Sequence, residues 1–243
     1  MMADIRTVMW KEWKEFLSSV SGRSRFIVLI FVVILGIIAP LQSGLGWIQS
    51  PGMLFLWAWV PLWLVVSVIA DSFAGERERH TLEALLATRL SDRTILLGKV
   101  GASVAYGLGI TWLSVLLGLV TVNIAHGHGT LLLYSAPLGL GIAVVSVLGA
   151  FLAAGAGVLI SLRARTARQA TQTLMLGVMV VFFGVVFGLQ ALPAAWKASL
   201  TAALATGNVI RIAVIAGLIL LAIDVALLLG AMARFRRDRL ILD

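Results

Sequence analysis

The sequence predicts an all-helical, polytopic membrane protein with six transmembrane helices, and three observations lead to this class. The 243-residue chain is 60% apolar and 12% charged, with a mean hydropathy of +1.04, whereas soluble domains average about 45–50% apolar and about 25% charged residues. Six stretches are long and apolar enough to cross about 30 Å of hydrocarbon. Basic residues cluster between these stretches. We interpret residues 1–243 as a single transmembrane domain.

The apolar stretches set the predicted spans. They cover residues 26–45, 53–73, 95–125, 131–162, 171–190 and 209–233. The third and fourth windows exceed the roughly 20 residues that a span needs, so these helices are expected to tilt or to project beyond the bilayer. Pro137 is expected to separate a turn from the fourth helix proper, because proline lacks a backbone N–H.

The distribution of basic residues predicts that both termini lie in the cytoplasm. With that orientation, all but two of the 19 lysines and arginines lie on the cytoplasmic side, and the exceptions are Lys197 and Arg211. The net charge of +8 is then a topology signal, and it does not indicate nucleic-acid binding. The expected location is the cytoplasmic membrane, with the lipid bilayer as the surroundings of the chain.

Residues 4–20 predict an amphipathic helix on the membrane surface. Trp13 and Phe16 fall on its apolar face, Trp10 falls near the boundary, and Glu12 falls on the charged face. A simple N-terminal anchor is the alternative interpretation. On the outer side, the longest connection is 191–208, which is rich in alanine and leucine and is a candidate re-entrant segment.

The loop between spans two and three interleaves acidic and basic residues around leucines. Residues 81–88 suit a short helix with Thr81 as a candidate N-cap, and Ser91 or Asp92 can cap the next helix. The apolar strip of the short helix consists of Leu82, Leu85 and Leu86. An apolar strip with a charged rim is typical of a docking element, while packing under the chain's own bundle is an open alternative.

The string GERERHTLEALLATRLSDRTILLGK, from Gly75 to Lys99, resembles the signature of ABC transporter permeases of the type-2 exporter class. In that family a loop of the form E-R-E-x-G-T-L-E-x-L-L-x-T-P-L-S follows the second span and ends near a G-K pair. Two positions depart, since His80 stands where glycine is usual and Arg89 where proline is usual. The resemblance extends to the surface helix, the six spans and the short outer segment before the last span.

The resemblance implies the transmembrane permease subunit of an ATP-driven exporter. The surface helix would be an elbow helix, and residues 76–91 would carry a coupling helix that docks on a separate ATP-binding subunit. The docking residues it implies are Glu76, Arg77, Glu78, Thr81, Leu82, Glu83, Leu85, Leu86 and Arg89. Two permease subunits, identical or homologous, would pair above two ATPase subunits.

Under this interpretation the chain is not an enzyme and binds no cofactor or metal of its own. ATP and Mg would belong to the partner, because the sequence has no G-x-x-x-x-G-K-[ST] phosphate loop. A self-sufficient secondary transporter or channel is the alternative function, and an intramembrane enzyme ranks last.

Three residues inside the predicted spans are candidates for a role in the substrate pathway or in gating. Asp224 lies well inside span six, where an ionisable group is functional by default. Trp59 and Trp63 share one face of span two. The alternatives are a hydrogen-bonded structural role for the aspartate and membrane anchoring for the tryptophans.

Overall fold

All regular structure in the described part of the chain is helical. The computed structural model describes residues 2–19, 22–81, 85, 87–205 and 209–235. An N-terminal helix, Met2–Ser19, precedes six helices that are long and apolar enough to cross a membrane, which confirms the predicted fold class. We call them spans one to six; they are Phe26–Ser43, Gly52–Glu78, Asp92–His126, Ala136–Ser161, Ala167–Ala191 and Val214–Arg234.

The length of span three and the first residue of span four determine which parts of these helices lie beyond the bilayer. Span three has 35 residues, which corresponds to about 52 Å at 1.5 Å per residue, so it is longer than the hydrocarbon layer is thick. The helix of span four begins at Ala136 with Pro137 in its first turn. Residues 131–135 of the predicted window form no helix, and Pro137 was expected to separate a turn in this part of the window from the helix proper. A proline in the first turn costs no hydrogen bond, because that N–H has no partner within the helix.

Spans two, three and four form the centre of the bundle. Gly149 of span four packs directly on the carbonyl oxygen of Ala58 in span two, and any side chain at this position would force the two helices apart. One buried cluster, which includes Val65, Ile69 and Ile95, fills the half of the bundle near the N-terminal helix. Spans one, five and six are the least buried and expose apolar side chains over most of their surface.

Two helical turns widen into π-helix, at Ile34–Ile38 in span one and at Asp71–Gly75 in span two. In each turn one carbonyl oxygen accepts a hydrogen bond from a side chain of span three. The Thr121 hydroxyl donates to the Gly36 carbonyl at 2.7 Å, and the Lys99 ammonium donates to the Ser72 carbonyl at 2.8 Å. Both irregular turns are therefore tied to the same long helix.

Because successive spans run in opposite directions, the connections lie at two ends of the bundle. The charged end comprises the N-terminal helix, the described residues between 71 and 92, and the connection at 162–166. Phe235 also lies at this end, with its ring centroid 5.5 Å from that of Phe73. The opposite end comprises the connections at 44–51 and 127–135 and the outer helix Ala194–Ala205. This helix fills most of the 191–208 segment, and the re-entrant interpretation stays a prediction.

Candidate docking and coupling site

A buried ion network joins the N-terminal helix to spans two and three at the charged end. The Lys99 side chain is fully buried, with 0% of its surface exposed. Its ammonium lies 2.8 Å from the Glu12 carboxylate, 2.9 Å from the Glu76 carboxylate and 2.8 Å from the Ser72 carbonyl. Since an ammonium group has three donors, all its hydrogen-bonding capacity is used inside the protein.

This network corrects two predictions. Glu12 was assigned to the charged face of a surface helix, but it is only 2% exposed and faces span three. Glu76 was assigned to the docking surface, but it is 4% exposed and its carboxylate binds Lys99 and Lys11. Helical periodicity marks a charged residue as outward-facing, and it cannot register a buried counter-charge that lies 87 residues away in the sequence.

Lys11 extends the network toward the surface of the protein. Its ammonium lies 2.9 Å from Glu76 and 3.2 Å from Glu15. Burial alone would lower the pKa of Lys11, but the hydrogen bond to Glu76 and the charge of that carboxylate outweigh it and raise the pKa above its usual value. Lys11 therefore stays charged at physiological pH.

The same network contains three carboxylates close to one another. Oxygen atoms of Glu12, Glu15 and Glu76 lie within 4.8 Å of one another. The ammonium groups of Lys11 and Lys99 contact all three of them. Two of the three negative charges in this acidic cluster are thus balanced by lysines of the chain itself.

We call residues 76–79 the charged string. Its second and third residues, Arg77 and Glu78, bind the connection between spans four and five. The Arg77 guanidinium donates to the carbonyls of Leu162 and Ala164, at 3.0 and 3.2 Å, just after the end of span four. The Glu78 carboxylate accepts from the Ala167 N–H at 3.1 Å, in the first turn of span five. Each charge suits its helix terminus, since cations favour C-terminal ends and anions N-terminal ends.

Arg79 completes the string by folding back on span two. Its guanidinium lies 3.2 Å from the carboxylate of Asp71 across the face of Gly75. Glu76, Arg77, Glu78 and Arg79 thus reach different parts of the structure. Together they bind span two itself, span three, the N-terminal helix and the connection between spans four and five, so the string fixes the charged end of the bundle.

Span two ends in a Schellman motif, and one of the two departures from the family pattern, His80, lies in it. The Thr81 N–H donates to the Glu76 carbonyl at 2.9 Å, and the His80 N–H donates to the Arg77 carbonyl at 3.1 Å. This motif requires a left-handed residue between helix and loop, usually glycine. His80 occupies that position with φ of +55°. The glycine that is usual there would satisfy the same turn without strain.

The G-K pair at the end of the motif also has a structural explanation. Lys99 is the centre of the ion network, and Gly98 lies beneath the N-terminal helix. A methyl group on Gly98 would lie 2.6 Å from the Cβ of Val8, which is closer than real contacts allow. The glycine therefore lets the N-terminal helix approach span three closely enough for Glu12 to reach Lys99.

The segment after the Schellman motif carries the remaining predicted docking residues. Thr81 and Arg89 are exposed. Leu85 is partly buried and packs against the core, so this member of the leucine strip contacts its own bundle. Leu82, Glu83 and Leu86 lie outside the described residues. The segment ends at Ser91, whose hydroxyl caps span three by accepting from the Thr94 N–H at 3.3 Å.

The aromatic residues of the N-terminal helix differ in how far they are exposed. Phe16 packs against Tyr106 of span three, with ring centroids 6.1 Å apart. Trp10 is 65% exposed and Trp13 is also exposed. Trp13 is 38% exposed and lies about 60° round the helix from both Trp10 and Phe16, so its place on the apolar face beside Phe16 stays a prediction.

Of the predicted pathway residues, Trp59 and Trp63 lie on span two and Asp224 lies on span six. Trp59 packs edge-on against Phe182 of span five, with ring centroids 5.0 Å apart, and also contacts Phe55. Trp63 lies exposed on span two. Asp224 lies in span six, buried, and neither of its carboxylate oxygens has a hydrogen-bond partner among the described residues.

Helical spans joined by short connections, with one charged end held by buried ion pairs, define the membrane-embedded part of a multi-pass membrane protein. A family model described as ABC-2 family transporter protein matches residues 48–233. The match covers well over half of the chain and includes the charged string, so the chain belongs to the ABC-2 transporter family as a permease-type membrane component. No curated protein and no solved structure matches the chain.

Proposed function

We propose that this chain is the permease subunit of an ATP-driven exporter, and that its charged end docks a separate ATP-binding subunit. The observation that carries the proposal is the charged string at 76–79, whose side chains bind the N-terminal helix and spans two and three, together with the connection between spans four and five. A displacement of the adjoining loop would therefore move several spans together. Hydrolysis belongs to the partner, since the chain carries no phosphate loop.

The docking surface that we propose is smaller than the sequence motif. Glu76 is buried in the ion network, and Arg77 is occupied by two backbone carbonyls. We assign the surface for the partner to exposed Thr81 and Arg89 and to Leu82, Glu83 and Leu86, which lie outside the described residues, whereas Leu85 packs against the core. The buried members of the motif act as the base that holds this surface on the bundle.

The orientation and assembly belong to the same proposal. The charged end faces the cytoplasm, where ATP is available, because it carries most of the basic residues. Two permease chains, identical or homologous, pair within the cytoplasmic membrane above two ATP-binding subunits. The aromatic cluster of Trp59, Phe55 and Phe182 joins spans two and five, and we assign it to the wall of the substrate pathway, with Trp63 further along span two.

The test is charge reversal at the docking surface. Arg89→Glu combined with Glu83→Lys should sharply reduce the ATP hydrolysis of the purified complex of this chain with its ATP-binding subunit, and should weaken their co-purification. Leu85 is kept in the double variant, because it packs against the core and its replacement would disturb the fold as well as the docking surface. Lys197→Glu is the matched control, since it reverses one charge at the opposite end of the bundle.

Undiminished hydrolysis and co-purification in the double variant would contradict the docking proposal. Transport by the purified chain alone, driven by an ion gradient in liposomes, would favour a self-sufficient secondary transporter or channel. The two outcomes can be distinguished, because the hydrolysis assay requires the ATP-binding subunit and the liposome assay is done without it.

A further inference from the structure

Asp224 is an acidic residue buried within a membrane span. It lies ten residues before Arg234, at the end of span six, which places it about 15 Å along the helix axis from that end. Its side chain is 3% exposed, whereas its neighbours Ile223 and Val225 are exposed on the outer face of the helix. The aspartate therefore points toward the interior of the bundle and away from lipid.

The face of span six that carries Asp224 packs against span four. One turn further along, Leu227 lies against Gly155, where a methyl group would come within 2.9 Å of the Leu227 Cβ. Two turns earlier, a methyl group on Gly217 would lie 4.0 Å from the Leu148 Cδ1. Asp224 lies between these two contacts, so its carboxyl group is directed at span four.

Span four presents no polar side chain at this level. Residues 147–160 are all apolar or glycine, so no charged or titratable group of span four faces Asp224. The outer helix also packs on span six, and its cation, Lys197, donates to the Gln190 carbonyl at 2.7 Å. Neither of these two neighbouring helices supplies a counter-charge.

An ionised carboxylate is not stable in such surroundings. Both oxygens of Asp224 are buried without a hydrogen-bond partner among the described residues, and transfer of an isolated carboxylate from water to a medium of low dielectric constant costs on the order of tens of kcal/mol. Binding a proton removes the charge and with it most of that cost, leaving the smaller cost of a neutral acid without a hydrogen-bond partner among the described residues. The packing of span six on span four is therefore compatible with the neutral acid and incompatible with the anion.

We propose that Asp224 is an intramembrane proton-binding site whose proton holds span six against span four. Loss of the proton leaves a negative charge that must gain water or a cation, and an apolar span four offers neither. Span six must then separate from span four around Asp224. The ligand of the site is the proton itself, and the moving element is span six.

The test compares the pH dependence of stability in wild type and in variants that lack the acid. Asp224→Asn and Asp224→Leu are measured by thermal unfolding of the purified chain in detergent from pH 5 to pH 9. An acid protonated only in the folded state stabilises the protein at low pH, and this contribution is lost as pH rises. We expect wild type to lose several degrees of melting temperature relative to both variants as pH rises.

Titrating groups elsewhere in the chain are shared by all variants and cancel in the comparison. Asp4→Asn, at an exposed position of the N-terminal helix, is the control and should follow wild type. Infrared difference spectra supply a second readout: the carbonyl stretch of a protonated carboxylic acid should be present in wild type at neutral pH and missing from both variants.

Parallel melting curves for wild type and variants, or spectra with the same carboxylic acid band in all three, would overturn the proposal. If Asp224→Asn does not fold, the melting curves of Asp224→Leu and the infrared spectra of wild type and Asp224→Leu test the proposal without it. The chain is tested without an ATP-binding subunit, so the outcome is independent of the docking proposal.

Discussion

Removing the ammonium group of Lys99 should be among the most damaging single changes at the charged end. Lys99 contacts Glu12 and Glu76 at 2.8 and 2.9 Å and is fully buried. At an effective dielectric constant near 20, each contact corresponds to about 6 kcal/mol of Coulomb attraction, and desolvation of the ions cancels much of it. Removal of one member of a buried ion pair typically costs about 3–5 kcal/mol, because the remaining charge is left without a partner.

We therefore expect Lys99→Met to lower the free energy of unfolding by about 3–5 kcal/mol. Adding Glu12→Gln should restore at least half of this loss, because without Lys99 the buried Glu12 carboxylate keeps only a 3.6 Å contact with Lys11, whereas Glu76 keeps a 2.9 Å contact with the same lysine. Unfolding of the purified chain in detergent, followed by tryptophan fluorescence, measures both effects. Arg79→Met, which breaks an exposed pair with Asp71, is the control and should cost no more than about 1 kcal/mol.

Two results would refute this reasoning. The first is a Lys99→Met variant that is no less stable than the Arg79→Met control. The second is a double variant with no recovery over Lys99→Met alone, since that would mean that the buried Glu12 charge is not what destabilises the single variant.

Further predictions concern the packing and the turns at the charged end. Gly98→Val should cost about 1–3 kcal/mol by forcing the N-terminal helix off span three, whereas Gly109→Val, which meets no neighbouring atom within 4 Å, should be close to neutral; equal thermal stabilities would contradict the close contact. Arg77→Met should cost about 1.5–3 kcal/mol because two carbonyls lose a charged donor, and Arg77→Lys should recover only part of it in the same unfolding assay. His80→Gly should raise stability by up to about 1 kcal/mol because it removes the left-handed strain, and a loss of stability would argue against the Schellman turn.

The fold could be predicted from the sequence because bilayer thickness converts hydropathy directly into helix number. The cap at Ser91 was also predictable, since a serine before an apolar helix commonly accepts from the third N–H. The π-helical turns could not be predicted, because they depend on donors from span three that reach the carbonyls of Gly36 and Ser72 across the bundle.

The site was predicted only in part, and the reason is long-range pairing. The motif marked the charged string, and the docking role of its residues stays a prediction, but the sequence could not tell which charges face outward. Lys99 counted toward topology as one more basic residue, although it lies inside an apolar run from Ile95 to Ala102. The rule that drew attention to Asp224, that a charge within a span requires a partner, applied equally to Lys99 and would have pointed to a buried acid.

The central claim is that the charged end contacts an ATP-binding subunit, and site-specific cross-linking tests it most directly. The chain has no cysteine, so single-cysteine variants are unambiguous. A thiol-anchored photo-cross-linker at Arg89→Cys, used on native membranes that contain the assembled transporter, should attach the ATP-binding subunit, and the same reagent at Lys197→Cys should not. No cross-link from position 89 in an active complex, or a cross-link from position 197 instead, would contradict the account.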